Sequence, residues 1–365
     1  MKIIRRVMMS EVMSHLKKSV NLCDMEIWND SCSIEELNYA IGHGASGATT
    51  NPVIVLNVLK QEMHLWKDRI LEIIKDEPKA SEVDISWKVI EEMAVKGASI
   101  LKPVFDETKG KKGRISIQTN AQLYRDAQAM TEQAIKFNKL ADNMMVKMPT
   151  TAAGIKAFEE ATYNGVNINA TVSFTVPQAV QVAEAVERGL KRREAEGKDI
   201  SFLTPVCTIM VGRLDDWLKI VAARDKIAVT PGVLDWAGVA AFKNAYRIYK
   251  EKGYRTRLLS AAYRNHLHWS QLIGDDIVQT IPAKWQKLYN ASDIEPEVTI
   301  NKPVDPAIMD ELTRLFPEFV KAYEPDGMTP EEFVSYGATA RTLRGFLAGY
   351  SELLAVVRDL MVPNP

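Results

Sequence analysis

Cysteine is scarce in this sequence: Cys23, Cys32 and Cys207 are the only three. An odd set cannot pair completely, and none stands in the C-x-x-C spacing of zinc or dithiol sites. A disulfide-stapled secreted scaffold is thereby excluded, and reduced, packed thiols in a cytoplasmic protein are expected. Histidine is sparse too, with His15, His43, His64, His266 and His268 scattered along the chain. Only His266-Leu-His268 brings two rings close together, at a point where a helix is expected to begin. No metal is expected there. Charge of one sign is also missing, since Lys and Arg number 46 against 47 Asp and Glu. No overall field draws such a chain to nucleic acid or to a membrane, so a small anion has to be held by local arginines. No apolar run approaches a membrane span, and the basic start Met1–Glu11 has too short an apolar part for a signal peptide. Low-complexity tracts are absent. Gly42-His-Gly-Ala-Ser-Gly47 lacks the lysine and hydroxyl ending of a phosphate loop and precedes a strand, so it is expected to be a turn.

What remains, 365 residues with 46% hydrophobic and 25% charged side chains, suits one large α/β domain with an appendage. Its most telling stretch is Asp142–Gly154. Met144, Met145, Val146 and Met148 form the short apolar run of a buried parallel strand, Pro149 closes it, and Thr150-Thr151 open a helix. Lys147 lies inside that run, where burial disfavours its charge. Either its stem packs while the amine reaches water, or the amine is kept neutral and attacks a carbonyl.

Seven further strands are expected around it: Met25–Trp28, Ala48–Thr50, Gly113–Thr119, Gly165–Thr171, Phe202–Met210, Thr256–Ala261 and Asp276–Ile281. Helices separate them, with an extra one in the long connection after the second strand, over residues 52–76 and 81–101. Eight strand-helix units predict a (β/α)8 (TIM) barrel within residues 1–290, preceded by a lead-in helix over residues 4–20. Residues 291–365 are expected to hold a linker, Ser292–Pro306, and a helical segment. Thr329 should cap its final helix, with Phe333, Leu343, Phe346, Leu347, Tyr350, Leu354 and Val357 facing the barrel.

A barrel of this kind builds its site at the carboxyl ends of the strands. In strand order this sequence offers Asp30, then Thr50 and Asn51, Gln118, Lys147, Asn169 and Thr171, then Thr208 with Arg213 beyond it, and Arg264. Each alone has an ordinary explanation: Asp30 as a helix cap, Asn51 in a turn, Arg213 paired with Asp215 or Asp216. Together they match the needs of a Schiff-base aldolase acting on a phosphorylated sugar. Such a lysine must be neutral, well below its free pKa of about 10.4.

Five segments carry a family resemblance: Thr49-Thr-Asn-Pro52, Val146-Lys-Met-Pro-Thr150, Asn167-Ile-Asn-Ala-Thr171, Val211-Gly-Arg213 and Tyr263-Arg-Asn265. In this order they resemble the signature segments of the transaldolase family, over most of residues 25–290. The resemblance implies a (β/α)8 barrel with the Schiff-base lysine, Lys147, on the fourth strand, and no cofactor. It implies that Asp30 is the acid/base carboxylate. Gln118 and Thr171 would stand beside the lysine. Thr50, Asn51, Asn169 and Thr208 would hold the sugar, and Arg213 and Arg264 its phosphate. The implied activity is transfer of a dihydroxyacetone unit between sugar phosphates, as in the pentose phosphate pathway, with self-association left open. Gln118 departs from the glutamate common in transaldolases and matches the related fructose-6-phosphate aldolases. Met210 replaces an aromatic residue, Thr208 a serine, and Ala262 a serine near the phosphate arginine. Two other classes remain open: a sugar-phosphate-sensing barrel, which has no use for Lys147, and a scaffold whose appended helices bind a partner.

Overall fold

The computed structural model describes residues 13–363. Eight strands run in the order β1 Glu26–Asn29, β2 Ala45–Thr49, β3 Arg114–Gln118, β4 Met144–Pro149, β5 Ile168–Ser173, β6 Val206–Ile209, β7 Arg257–Ser260 and β8 Ile277–Ile281. All neighbours are parallel and β8 pairs with β1, closing the barrel in sequence order. Helices alternate with the strands, so the (β/α)8 architecture is the one expected. The helix starts follow from hydroxyl caps. Ser33, Thr151 and Thr175 each accept a hydrogen bond from the backbone N–H three residues on.

The amino-terminal end of the barrel is sealed. The Glu26 carboxylate accepts from Trp28 Nε1 at 3.0 Å and Ser46 Oγ at 2.6 Å, and it pairs with Arg257. Gly47 is required beside this plug, because a Cβ there would lie 2.6 Å from Trp28 Nε1. The open chemistry is thereby left to the opposite face. The three cysteines are unpaired, and burial pushes the Cys32 and Cys207 thiols up to about 12. Among the described residues no helix is long and apolar enough to cross a membrane.

Several boundaries differ from expectation. The lead-in helix spans His15–Leu22, capped by Ser14; the part of the expected helix before residue 13 lies outside the described residues. The turn after the Ile34–Gly42 helix ends at Gly44, whose φ of 95° reverses the chain, so β2 begins at Ala45 rather than Ala48. At β6 the expected start, Phe202, is too early. Thr204 N donates to Asn167 Oδ1 and Pro205 has no N–H, so pairing begins only at Val206. The β2–β3 connection holds helices Pro52–Gln61, Met63–Asp76 and Glu82–Glu107, which include the extra helix foreseen.

Beyond β8, residues 291–305 are not a free tether. Thr299 and Ile300 N–H groups both donate to Ile273 O, and Lys243 Nζ donates to Thr299 O and Lys302 O. Helices Pro306–Leu315 and Pro317–Tyr323 follow, neither of them foreseen. Thr329 opens a short 3-10 turn, Pro330–Glu332, and the last long helix begins only at Gly337 and runs to Met361. Its apolar stripe keeps the expected phase, with Phe346, Tyr350 and Val357 inside, but Leu353 is fully buried where Leu354 was expected. This helix crosses the carboxyl-end rim, touching the turn Ala121–Leu123, β5 and the helix Val211–Asp225. Two glycines allow its close approach, Gly337 against Trp217 and Gly349 against Val53.

Replacing Arg257 by methionine leaves Glu26 buried without its cation. Unfolding free energy in urea is expected to fall by about 3–5 kcal/mol. A loss below about 1 kcal/mol, the worth of an exposed pair, would contradict this account of the barrel floor.

Candidate active site

Lys147 lies near the carboxyl end of β4, a strand whose residues are all buried. Register sets Gln118 of β3 on one side of it and Asn169 of β5 on the other. Side chains paired across a parallel ladder share a face, so these three line the barrel interior. Burial pulls the Lys147 amine down to about 8, and only the Asp30 carboxylate works against that shift. Burial in turn raises Asp30, while Lys147, a hydrogen bond from Thr49 and Arg213 hold it down. The two groups are thus electrostatically coupled at the barrel mouth.

Asp30 is held by a hydroxyl chain. Thr49 Oγ1 donates to Asp30 Oδ1 at 2.7 Å, and Thr280 Oγ1 of β8 lies 2.7 Å from Thr49 Oγ1. A hydroxyl has one proton, so Thr280 is the donor in the second bond. Asn169 is fixed just as firmly. Its Oδ1 accepts from Thr208 Oγ1 at 2.7 Å and its Nδ2 donates to Ser116 Oγ at 3.1 Å, leaving one amide hydrogen. Gln118 Oε1 and Thr171 Oγ1 are buried with no partner among the described residues. Buried polar atoms are rarely left so. Asn51 caps the Pro52–Gln61 helix, its Oδ1 accepting from Ile54 N at 3.0 Å, which leaves its Nδ2 free of that role. The Thr50 hydroxyl is directed to Cys32 Sγ, 3.8 Å away, so Thr49 rather than Thr50 touches Asp30.

The arginines stand further out. Arg264 is spanned by Asp216: its Nε and Nη2 lie 3.0 and 2.8 Å from Asp216 Oδ2. Its backbone N–H donates to His268 Nδ1 at 3.0 Å, and His268 Nε2 meets Asp215 Oδ2 at 2.8 Å. Since Nδ1 accepts, the Nε2 nitrogen carries the proton, and His268 is a brace for the Arg264 loop. Among the described residues no group of three His, Cys, Asp or Glu side chains is arranged to hold a metal ion. Arg213 takes neither Asp215 nor Asp216 as a partner; its Nε is buried and unpartnered.

Two strained residues mark the rim. Val172, next to Thr171, has φ 54°, and Ala262, two residues before Arg264, has φ 65°. A β-branched residue at positive φ is a genuine outlier, and such strain gathers where surroundings hold a site in shape. Gln178 Nε2 braces Val172 by donating to its carbonyl at 3.1 Å. Sequence reasoning missed Thr49, Thr280 and Tyr263, the last buried with its phenol 2.7 Å from Ser260 Oγ and within the field of Asp30. Strict alternation along β2 and β8 was the signal for the two threonines; Tyr263 had none beyond its place in a matched segment.

The sequence model described as Transaldolase/Fructose-6-phosphate aldolase matches residues 27–323, from β1 through the helix Pro317–Tyr323. Among similar proteins, one named Transaldolase from Thiobacillus denitrificans is 27% identical over 299 residues, covering 74% of this chain and 82% of that protein. A second, from Trichodesmium erythraeum, is 28% identical over 340 residues, 82% of this chain and 88% of its own. Transaldolase 1 of Streptomyces avermitilis is 28% identical over 282 residues, 68% and 74% of the two chains. With all of the barrel but the first residue of β1 inside the matched region, the chain belongs to the transaldolase/fructose-6-phosphate aldolase family and is an enzyme of the transaldolase type.

Proposed function

We propose that the protein uses Lys147 as a Schiff-base nucleophile to cleave a ketose phosphate and pass its dihydroxyacetone unit to an aldose phosphate, in sugar metabolism of the pentose phosphate type. The observation that carries this reading is a buried amine, lowered to about 8, within the field of the Asp30 carboxylate. At neutral pH roughly a tenth of such an amine is unprotonated, against a few parts in ten thousand for a free lysine.

The neutral amine adds to the C2 carbonyl, and loss of water leaves an iminium. As the C3–C4 bond breaks, its electron pair moves into the iminium and forms an enamine. The C4 hydroxyl gives its proton to Asp30 and becomes the departing aldehyde. Burial raises the proton affinity of Asp30, which suits a base, while the iminium retains a positive charge beside it and favours the ionised form. The enamine then attacks the acceptor aldehyde, Asp30 returns its proton to the new alkoxide, and water releases Lys147. Gln118 Oε1 and Thr171 Oγ1 have unspent acceptor capacity that suits the water lost and regained in these steps. The free amide hydrogens of Asn51 and Asn169 suit the hydroxyls of the three-carbon unit. Arg213, beyond β6, suits the phosphate, and Arg264, beyond β7, has one donor left to add to it.

Gln118 favours a second reading, in which the enamine is protonated and hydrolysed and free dihydroxyacetone leaves. An amide orients water but does not ionise, so it cannot shuttle protons as a carboxylate does. Consumption of the ketose should depend on added aldose phosphate; rapid dihydroxyacetone release without an acceptor would instead make the enzyme an aldolase.

Borohydride reduction with a ketose phosphate, read by peptide mass, should attach the sugar carbon skeleton to the peptide containing Lys147. A label on another lysine, or none with any ketose phosphate, would sink the Schiff-base reading. In Asp30→Asn the adduct should still be trapped while carbon–carbon cleavage slows by about 10²–10⁴-fold. Cleavage near the wild-type rate would mean that the base is another group.

A further inference from the structure

Arg264 has little left to offer a ligand. A guanidinium has five N–H donors. The Nε and one Nη2 hydrogen of Arg264 are spent on Asp216, and Nη1 donates to Ala262 O and Tyr263 O at 3.1 and 3.0 Å. One donor remains. Arg213 is the opposite case, with its Nε buried and unpartnered and no ion pair among the described residues.

Facing Arg213 is a cleft of about 260 Å³ lined also by Asp216, Trp217, Arg341, Thr342 and Arg344. Arg341 and Arg344 come from the helix Gly337–Met361, and neither forms an ion pair among the described residues. Three uncommitted guanidinium groups thus surround one carboxylate that Arg264 already occupies. Such a cleft is electrostatically unfinished. Its cations repel one another, and burial together with Arg264 and Arg341 lowers the proton affinity of Arg213. An anion with several acceptor oxygens relieves that repulsion, and paired N–H forks suit a phosphate best.

The helix is held firmly enough to make Arg341 a fixed partner. Gly337 packs on the Trp217 ring, Thr339 and Thr342 are buried, and Gln178 Nε2 reaches Thr339 Oγ1 at 3.5 Å. The same Gln178 amide group braces Val172 beside Thr171, so the helix start and the rim share one support. Resting on the sugar-phosphate reading above, we propose that Arg341 is a specificity-determining residue which, with Arg213, holds the substrate phosphate. Arg264 adds only its one remaining donor and chiefly shapes its own loop. The carboxyl-terminal helix is then a wall of the substrate site.

The test compares Arg341→Gln, Arg341→Lys and Arg264→Gln with the wild type, on fructose 6-phosphate and on unphosphorylated fructose. For Arg341→Gln, KM for the phosphorylated ketose should rise about tenfold or more, the loss of one charge-assisted bond, with a much smaller change for fructose. Arg341→Lys should recover part of that loss, because it restores the charge without the fork. Arg264→Gln should raise KM less than Arg341→Gln does. Calorimetric titration with inorganic phosphate, which needs no turnover, should give a weaker Kd in Arg341→Gln by a similar factor. An unchanged KM and phosphate affinity in Arg341→Gln, or a larger effect from Arg264→Gln, would overturn the assignment. Equal losses on both ketoses would overturn it too. A wild type that neither cleaves nor traps either ketose would instead defeat the underlying reading of the enzyme.

Discussion

The burial of the Lys147 amine beside the Asp30 carboxylate is the constraint around which the rest of the barrel is arranged. Taking an ammonium group out of water is costly, and the fold removes water from it on every side. The strand beneath it is apolar, Trp28 and the Glu26–Arg257 pair close the floor, and the last helix runs across the rim. With its pKa lowered from 10.5 to about 8, the folded chain binds this proton less tightly than the unfolded chain. The resulting cost in stability is carried in full below about pH 8 and is relieved as the pH rises towards 10.5. A lysine that merely needed to be soluble would not be kept there at such a cost.

The neighbours of Lys147 and Asp30 divide into two kinds. Some are spent on holding geometry: the Thr280–Thr49–Asp30 chain, the Thr208–Asn169–Ser116 chain, and the Asp215–His268 brace behind Arg264. Others are unspent although buried: Gln118 Oε1, Thr171 Oγ1 and Arg213 Nε. Rigid supports around unsatisfied polar atoms are the pattern of a preorganised site, in which a ligand completes the hydrogen bonding. The backbone strain at Val172 and Ala262 falls on this same rim.

Much of this was legible in the sequence. Lys147 stood out because a charge interrupted a methionine and valine run, and Asp30, Gln118 and Asn169 followed from counting to the ends of strands. What escaped notice depended on where an element starts or ends, or on distance along the chain. Thr49 was hidden because β2 was expected to end at Thr50, which drew attention to that residue; the strand ends at Thr49, whose hydroxyl meets Asp30. The last helix was expected to follow Thr329 directly, whereas it starts at Gly337, and Leu353 rather than Leu354 lies in the core. Arg341 had no local signal at all. Its meeting with Arg213 follows from the helix crossing the rim on Gly337 and Gly349, a tertiary fact that no periodicity encodes.

The central claim is that the fold keeps the Lys147 amine available at neutral pH against the pull of Asp30. Reductive methylation with 13C-formaldehyde, followed by an NMR titration assigned with Lys147→Met, reads that amine directly. A midpoint near 8 is expected in the wild type, moving lower in Asp30→Asn because the opposing carboxylate charge is gone. A midpoint near the ordinary 10.5, unchanged by the Asp30 substitution, would contradict the account.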